Sequence, residues 1–109
     1  MKRIILGAFA LVACILGIQA QTQVIAHRGF WKTEGSAQNS ITALEKAAEA
    51  QLYGSEFDVL MTVDGKLVVN HDNKIEEMVI PETPYKKLKK LRIKNGEKLP
   101  TLKNYLKKG

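Results

Sequence analysis

Ser55-Glu56-Phe57-Asp58-Val59-Leu60-Met61-Thr62-Val63-Asp64-Gly65-Lys66-Leu67-Val68-Val69-Asn70-His71-Asp72 is the stretch that decides how this chain folds. From Tyr53 to Met61 it reads as one strand, and from Lys66 to Asn70 as another that ends at His71-Asp72. Val63-Asp64-Gly65 between them reads as a turn, and Asp-Gly between two strand-like runs is a strong hairpin signal. Working outward, Val24 to His27 is a short apolar run that stops at Arg28-Gly29, as a buried strand does on entering a loop. The loop carries Phe30, Trp31, Lys32, Gly35 and Ser36. From Asn39 or Ser40, either a good N-cap, a helix is expected through about Gln51. Ile41, Leu44, Ala48 and Leu52 would share its inner face, with Glu45, Lys46 and Glu49 outside. The order strand, helix, strand predicts an α/β fold. One conflict stays open: parallel pairing needs a crossover of a dozen or more residues, whereas Asp64-Gly65 asks for an antiparallel neighbour.

Further along, Thr83 with Pro84 and Pro100 with Thr101 read as helix starts, the second followed by Leu102, Tyr105 and Leu106 on one face. The chain has 109 residues with 17 Lys plus Arg against 11 Asp plus Glu, a formal charge of +6. The excess is local. Residues 21–85 carry five basic and ten acidic groups, whereas residues 86–109 carry ten basic and one acidic. Lys86, Lys87, Lys89, Lys90, Arg92 and Lys94 could face anionic lipid or nucleic acid. The simpler expectation is one amphipathic helix with Leu88 and Leu91 turned inward and the lysines solvated. No aromatic platform or nucleic-acid motif accompanies them, so no nucleic-acid partner is expected.

At the other end, Lys2 and Arg3 precede an uncharged run from Ile4 to Ile18 that is too short for a comfortable bilayer span. A basic start and a short apolar run read as an export signal, cut after Ala20, over residues 1–20. Leu11-Val12-Ala13-Cys14 also resembles a lipoprotein cleavage box, but a lipidated Cys14 would keep the apolar Ile15 to Ile18 in the mature tail. The expected address is therefore periplasmic or secreted, with residues 21–109 as the working part. Cys14 is the only cysteine, so that part can form no internal disulfide and hold no zinc through thiolates.

The chemistry sits at strand ends. Glu56 and Asp58 are two apart, so on a regular strand their carboxylates point to one side. Two adjacent carboxylates ionise cheaply only beside a cation, and oxygen ligands suit calcium or magnesium. An exposed polar strand end is the plain alternative. His27 and His71 are the only histidines, and each closes an apolar strand-like run where α/β folds bind ligands. Facing each other, they could serve as general base and general acid on either side of a phosphate. Arg28 adds a planar cationic fork for phosphate oxygens, or else pairs with Glu34 or another carboxylate.

Together, Ala26-His27-Arg28-Gly29, Gln38-Asn39-Ser40, Ser55-Glu56-Phe57-Asp58-Val59, Asp64-Gly65 and Leu67 to Asp72 resemble the N-terminal third of a glycerophosphodiester phosphodiesterase. Leu99 to Leu106 resembles that family's next helix entry more loosely. The resemblance implies the N-terminal portion of a TIM (β/α) barrel, incomplete here because the 89 residues after Ala20 fall well short of the about 250 of such a barrel. It implies metal-dependent hydrolysis of glycerophosphodiesters to glycerol 3-phosphate and an alcohol. It makes His27 and His71 the acid/base pair, Glu56 and Asp58 ligands of Ca2+ or Mg2+, and Arg28 a phosphate contact. The implied partner is a small-molecule diester; membrane contact is not required and oligomeric state is left open. Two departures stand out. Ala37-Gln38-Asn39-Ser40 replaces the family's common Pro-Glu-Asn-Thr, and the family's third metal carboxylate comes from a strand later than Gly109. The alternative expectation is an exported, non-catalytic fragment that binds anionic lipid or a partner through its basic C-terminal helix.

Overall fold

The structure, a computed structural model, describes residues 22–109; the expected export leader, with Cys14, lies outside the described residues. Strand β1 (Ile25–His27) is followed by helix α1 (Ile41–Glu49) and by β2 (Gly54–Glu56), which pairs in parallel with β1 and sets His27 opposite Glu56. Two further strands, β3 (Val59–Met61) and β4 (Leu67–Val69), form an antiparallel hairpin around Asp64-Gly65. The single strand expected from Tyr53 to Met61 is thus two. Its first part pairs with β1 and its second with β4, so the crossover and the hairpin are both present. The break has a local cause. Arg28 turns out of β1 at φ +60°, which leaves nothing for β2 to pair with beyond Glu56. The chain re-engages at Asp58, whose carbonyl accepts from the Asn70 N–H at 3.0 Å.

Helix α1 starts at Ser40, whose hydroxyl accepts from the Ala43 N–H at 2.9 Å. Its buried stripe is Ala43 and Ala47, whereas Ile41, Leu44 and Leu52 are half-buried and Ala48 is exposed. The inner face is therefore turned from the expected one. The close approach of the loop after β1 admits only small side chains there, as shown below.

The basic segment departs further from expectation. Strands β5 (Lys74–Ile75) and β6 (Met78–Val79) form a short hairpin, a 3-10 turn spans Ile80–Glu82, and α2 is one turn, Tyr85–Leu88. No amphipathic helix runs on to Lys94. Leu88 is fully buried, and Leu91 and Ile93 pack on the same cluster of Val68, Ile75, Ile80, Leu88 and Leu99 from a non-helical trace. That trace is held by the Arg92–Lys98 bridge and by the Ile93 N–H donating to the Glu97 carbonyl at 2.9 Å. The surface imagined for anionic lipid is hence not one helical face.

Helix α3 (Leu102–Lys108) begins at Thr101, whose hydroxyl accepts from the Asn104 N–H at 3.1 Å. Of the three apolar residues expected inside, only Tyr105 is buried; Leu102 is half-buried and Leu106 is exposed. The Tyr105 ring lies 4.6 Å from that of Phe57, centroid to centroid, and so pins the β2–β3 break from behind. Its hydroxyl is buried without a hydrogen-bond partner, and burial, with the Glu56 charge adding to it, holds the phenol above its ordinary value of 10.0. Ile25, Tyr53, Val59, Met61 and Leu67, on or beside the strands, remain exposed. No closed barrel is present among the described residues.

Asp64 staples the hairpin to α2. One carboxylate oxygen accepts from the Thr62 hydroxyl at 2.5 Å and from the Tyr85 N–H at 3.1 Å, and these bonds hold its carboxyl below the ordinary 3.8. The depressed value means this staple is fully present above the ordinary carboxylate range and lost as pH falls through it. Asp64→Asn should therefore lower the thermal midpoint at neutral pH and flatten its acid limb below about pH 4, read by circular dichroism. Tyr105 works in the opposite sense: its raised value keeps its contribution intact below about pH 10 and removes it above. Tyr105→Phe should leave neutral-pH stability nearly unchanged and soften the alkaline limb, whereas Tyr105→Ala should cost about 3–5 kcal/mol.

Candidate functional site

The site is assembled by one irregular turn. After His27 the backbone enters the left-handed region at Arg28 and stays there at Gly29, φ +60° and +84°. The Arg28 carbonyl then accepts from the Asn39 N–H at 2.8 Å, and the Phe30 N–H donates to the Ala43 carbonyl at 3.0 Å. A side chain at position 29 would put its Cβ 2.5 Å from the Ala43 Cβ, so glycine is required both by its torsion and by the helix beside it.

This turn brings four of the five expected residues into one chain of contacts. The Arg28 N–H donates to Glu56 Oε1 at 3.1 Å, and His27 Nε2 lies 3.9 Å from the same oxygen. The His27 and Glu56 side chains are 69% and 46% exposed, so that ion pair contributes little to stability and leaves both groups open to solutes. The Arg28 guanidinium donates from Nη1 to Gln38 Oε1 at 3.0 Å and from Nη2 to His71 Nε2 at 2.7 Å. Arginine has no acceptor, so the geometry assigns the lone pair to His71 Nε2 and the proton to Nδ1, which faces Asp72 Oδ1 at 2.8 Å. The fifth, Asp58, accepts at its Oδ2 from the Asn39 amide at 3.1 Å. Phe57 and Asp58 lie between β2 and β3, outside any regular strand.

Three residues matter here beyond the expected five. The sequence marks Gln38 as an amide where the family commonly has an acid and Asn39 as a candidate helix cap; in the structure Gln38 orients Arg28 and Asn39 orients Asp58. Asn39 is 1% exposed, sits at φ +58° and has a buried amide oxygen without a partner. Asparagine is among the few residues that take that torsion readily, which is the available signal in Gln38-Asn39-Ser40. Asp72 fixes the His71 tautomer, and its position next to His71 was the hint.

Arg28 does not pair with Glu34. Its guanidinium bonds go to two neutral acceptors and its Nε is buried without a partner, so no ion pair offsets its charge among the described residues. Such a group is disposed to take an anion. For a cation, Glu56 and Asp58 offer the hard oxygen donors that calcium or magnesium requires, and the donor chemistry fits. They supply part of a ligand set only: no group of three or more potential ligands occurs among the described residues. An open cleft of about 690 Å³ is lined by Gln38 and His71 together with residues of the loop after β1, of the segment after β4 and of Arg92 to Lys94.

The glycerophosphoryl diester phosphodiesterase family matches residues 27–108, from the first candidate histidine to the end of α3. The chain belongs to this family. A glycerophosphodiester phosphodiesterase of Caldanaerobacter subterraneus subsp. tengcongensis is 38% identical over 94 residues, covering 75% of this chain and 38% of that protein. One of Bacillus altitudinis is 35% identical over 75 residues, 63% of this chain and 29% of that protein. Among solved structures, a glycerophosphodiester phosphodiesterase of Parabacteroides distasonis superposes with a TM-score of 0.77 at 62% identity, over 79% of this chain and 36% of that one. An Oleispira antarctica phosphodiesterase in complex with the product sn-glycerol-3-phosphate gives 0.71 at 27%, over 80% and 39%. The chain therefore spans less than two fifths of the first curated relative it matches. The fold expected from the resemblance holds: the described residues form part of the family's TIM barrel.

If the Arg28-Gly29 turn positions the site, Gly29→Ala should destabilise the chain and displace Arg28 from His71, visible as altered His71 ring shifts by NMR. Adding Ala43→Gly removes the side-chain clash but neither the strained torsion nor the Ala43 backbone, so recovery should be partial. Full tolerance of Gly29→Ala would show that the turn does not need its glycine.

Proposed function

We propose that the protein hydrolyses glycerophosphodiesters to glycerol 3-phosphate and an alcohol with the help of a divalent cation. The observation that carries this reading is the Arg28 guanidinium, unpaired by any carboxylate and bonded to His71, in a chain of the glycerophosphoryl diester phosphodiesterase family. Arg28 would bind non-bridging phosphate oxygens, with Gln38 keeping its fork in plane. Glu56 and Asp58 would hold Ca2+ or Mg2+, which supplies charge neutralisation at the phosphate when bound. His71, neutral with its lone pair on Nε2 and backed by Asp72, is suited to take the proton from the attacking oxygen, whether of water or of the glycerol hydroxyl. His27 is then left to give a proton to the departing alcohol oxygen as its bond to phosphorus breaks. Water, directly or in a second step, completes the hydrolysis.

We infer in addition that the protein is exported and acts outside the cytoplasm, on the basic start at Lys2-Arg3 and the short apolar run that follows. Scavenging of small soluble diesters fits that address.

The test is release of glycerol 3-phosphate from glycerophosphocholine by the full chain. Chelator should abolish it, and calcium or magnesium should restore it, the better ion naming the metal. His27→Ala and His71→Ala should each lower kcat/KM by about 100-fold or more. Both side chains are exposed, so the unfolding midpoint should stay put. Turnover that survives chelator or either substitution would sink the reading.

A further inference from the structure

A turn far along the chain grips the segment that carries Gln38 and Asn39. Leu99 belongs to the buried core cluster and Ile93 packs against it, so the turn between them is rooted at both ends. It also closes on itself. The Ile93 N–H donates to the Glu97 carbonyl at 2.9 Å and the Gly96 N–H to the Ile93 carbonyl at 2.8 Å. The Glu97 N–H donates to Asn95 Oδ1 at 3.1 Å, which fixes the Asn95 side chain. Two side chains reach from this turn to the region between β1 and α1. The Asn95 amide donates to the Gly35 carbonyl at 3.1 Å. The Glu97 carboxylate accepts from the Thr42 N–H at 3.4 Å and, through its other oxygen, from the Thr42 hydroxyl.

Glu97 is committed to α1. It is in no ion pair among the described residues, although Lys94 and Lys98 are close to it in sequence. Thr42 is the second residue of α1, where N–H groups have no partner within the helix, and α1 has no acid in its own first turn. A carboxylate 55 positions away completes the helix start. Between Gly35 and Thr42 lies the turn Ala37–Ser40, closed by the Ser40 N–H donating to the Ala37 carbonyl at 3.1 Å. Gln38 and Asn39 are its middle residues, and they hold the Arg28 guanidinium and Asp58. Asn39 sits at φ +58°, a torsion that persists where the surroundings impose it. We propose that Asn95 and Glu97 are positioning residues: by fixing both ends of the segment from Gly35 to Thr42, they keep Gln38 and Asn39 where Arg28 and Asp58 are aligned for the reaction. Their effect on turnover rests on the hydrolytic reading above; their effect on the ligand-free geometry does not.

The full chain is compared with Glu97→Ala, Glu97→Gln, Asn95→Ala and the double variant Glu97→Ala with Thr42→Glu. Three quantities are read in each: the unfolding midpoint, the NMR signals of the His71 ring and the Asn39 side-chain amide without ligand, and kcat/KM for glycerophosphocholine. Glu97→Ala should shift both sets of signals and lower kcat/KM by about tenfold, and Asn95→Ala should do the same to a smaller extent. Glu97→Gln should restore signals and turnover, because an amide accepts from the Thr42 N–H and donates to the Thr42 hydroxyl oxygen. Thr42→Glu returns an acid to the first turn of α1 without a tie to the distant turn. The double variant should therefore regain the midpoint but neither the signals nor the turnover, and it serves as the test where Glu97→Ala alone does not fold. Wild-type His71 and Asn39 signals in Glu97→Ala or in the double variant would overturn the proposal and leave Glu97 as a helix cap, as would a loss in Glu97→Gln equal to that in Glu97→Ala. No turnover by the wild-type chain would overturn the hydrolytic reading, and the signals alone would then decide the positioning.

Discussion

The contact between Gly29 and Ala43 is the constraint on which the rest depends. Because the loop after β1 passes within van der Waals reach of α1, the helix must present alanines there, and the loop must turn on a residue without a side chain. The same turn holds Arg28 in the left-handed region, a conformation that costs an arginine about 1 kcal/mol or more and persists only where its surroundings impose it. Here they do. The Asn39 N–H, the Glu56 carboxylate, the Gln38 amide and His71 all hold Arg28 from different directions. Ending β1 at this point also ends β2, which splits the following strand between Glu56 and Val59. A single close approach thus sets the helix register, the strand break and the geometry of the site.

Much of this was legible in the residues. The strand before His27, the helix after Ser40, the Asp64-Gly65 hairpin and the helix after Thr101 are written locally, by caps, turn residues and apolar runs whose torsions need no distant partner. The failures share one cause. Ile41, Leu44, Ala48 and Leu52 share a helical face by their spacing, but the buried face of α1, Ala43 and Ala47, is set by a loop more than ten residues upstream. Leu88 and Leu91 had helical spacing, yet they reach the same core from a turn and an irregular segment, since the Arg92–Lys98 bridge and the Glu97 carbonyl compete for the backbone. For the site, residue types were readable and connections were not. His27, Arg28, Glu56, Asp58 and His71 follow from strand ends and from resemblance. That Arg28 contacts His71, 43 positions away, is a tertiary fact.

The distribution of charge takes a different meaning in three dimensions. Along the chain the basic excess belongs to residues 86–109, which suggests an independent basic element. In the fold, Arg92 and Lys94 curve back to meet Lys32 from the β1–α1 loop and Lys74 from the segment after β4. Part of the excess is thereby gathered along the cleft that Gln38 and His71, the two partners of the Arg28 guanidinium, also line, and the rest lies outside it. A positive rim favours encounter with anionic solutes at low ionic strength, before any specific contact forms.

The bond between Arg28 and His71 fixes two side chains at once. The guanidinium donates to the lone pair of His71 Nε2 while Asp72 holds Nδ1 and with it the ring plane. Both side-chain acceptors of the guanidinium, the Gln38 amide and the imidazole, are neutral, and a neutral acceptor is a weaker partner for arginine than an anionic oxygen. Gln38 orients the fork without holding it in an ion pair, and no carboxylate pairs with it among the described residues, so its charge stays available to an anion.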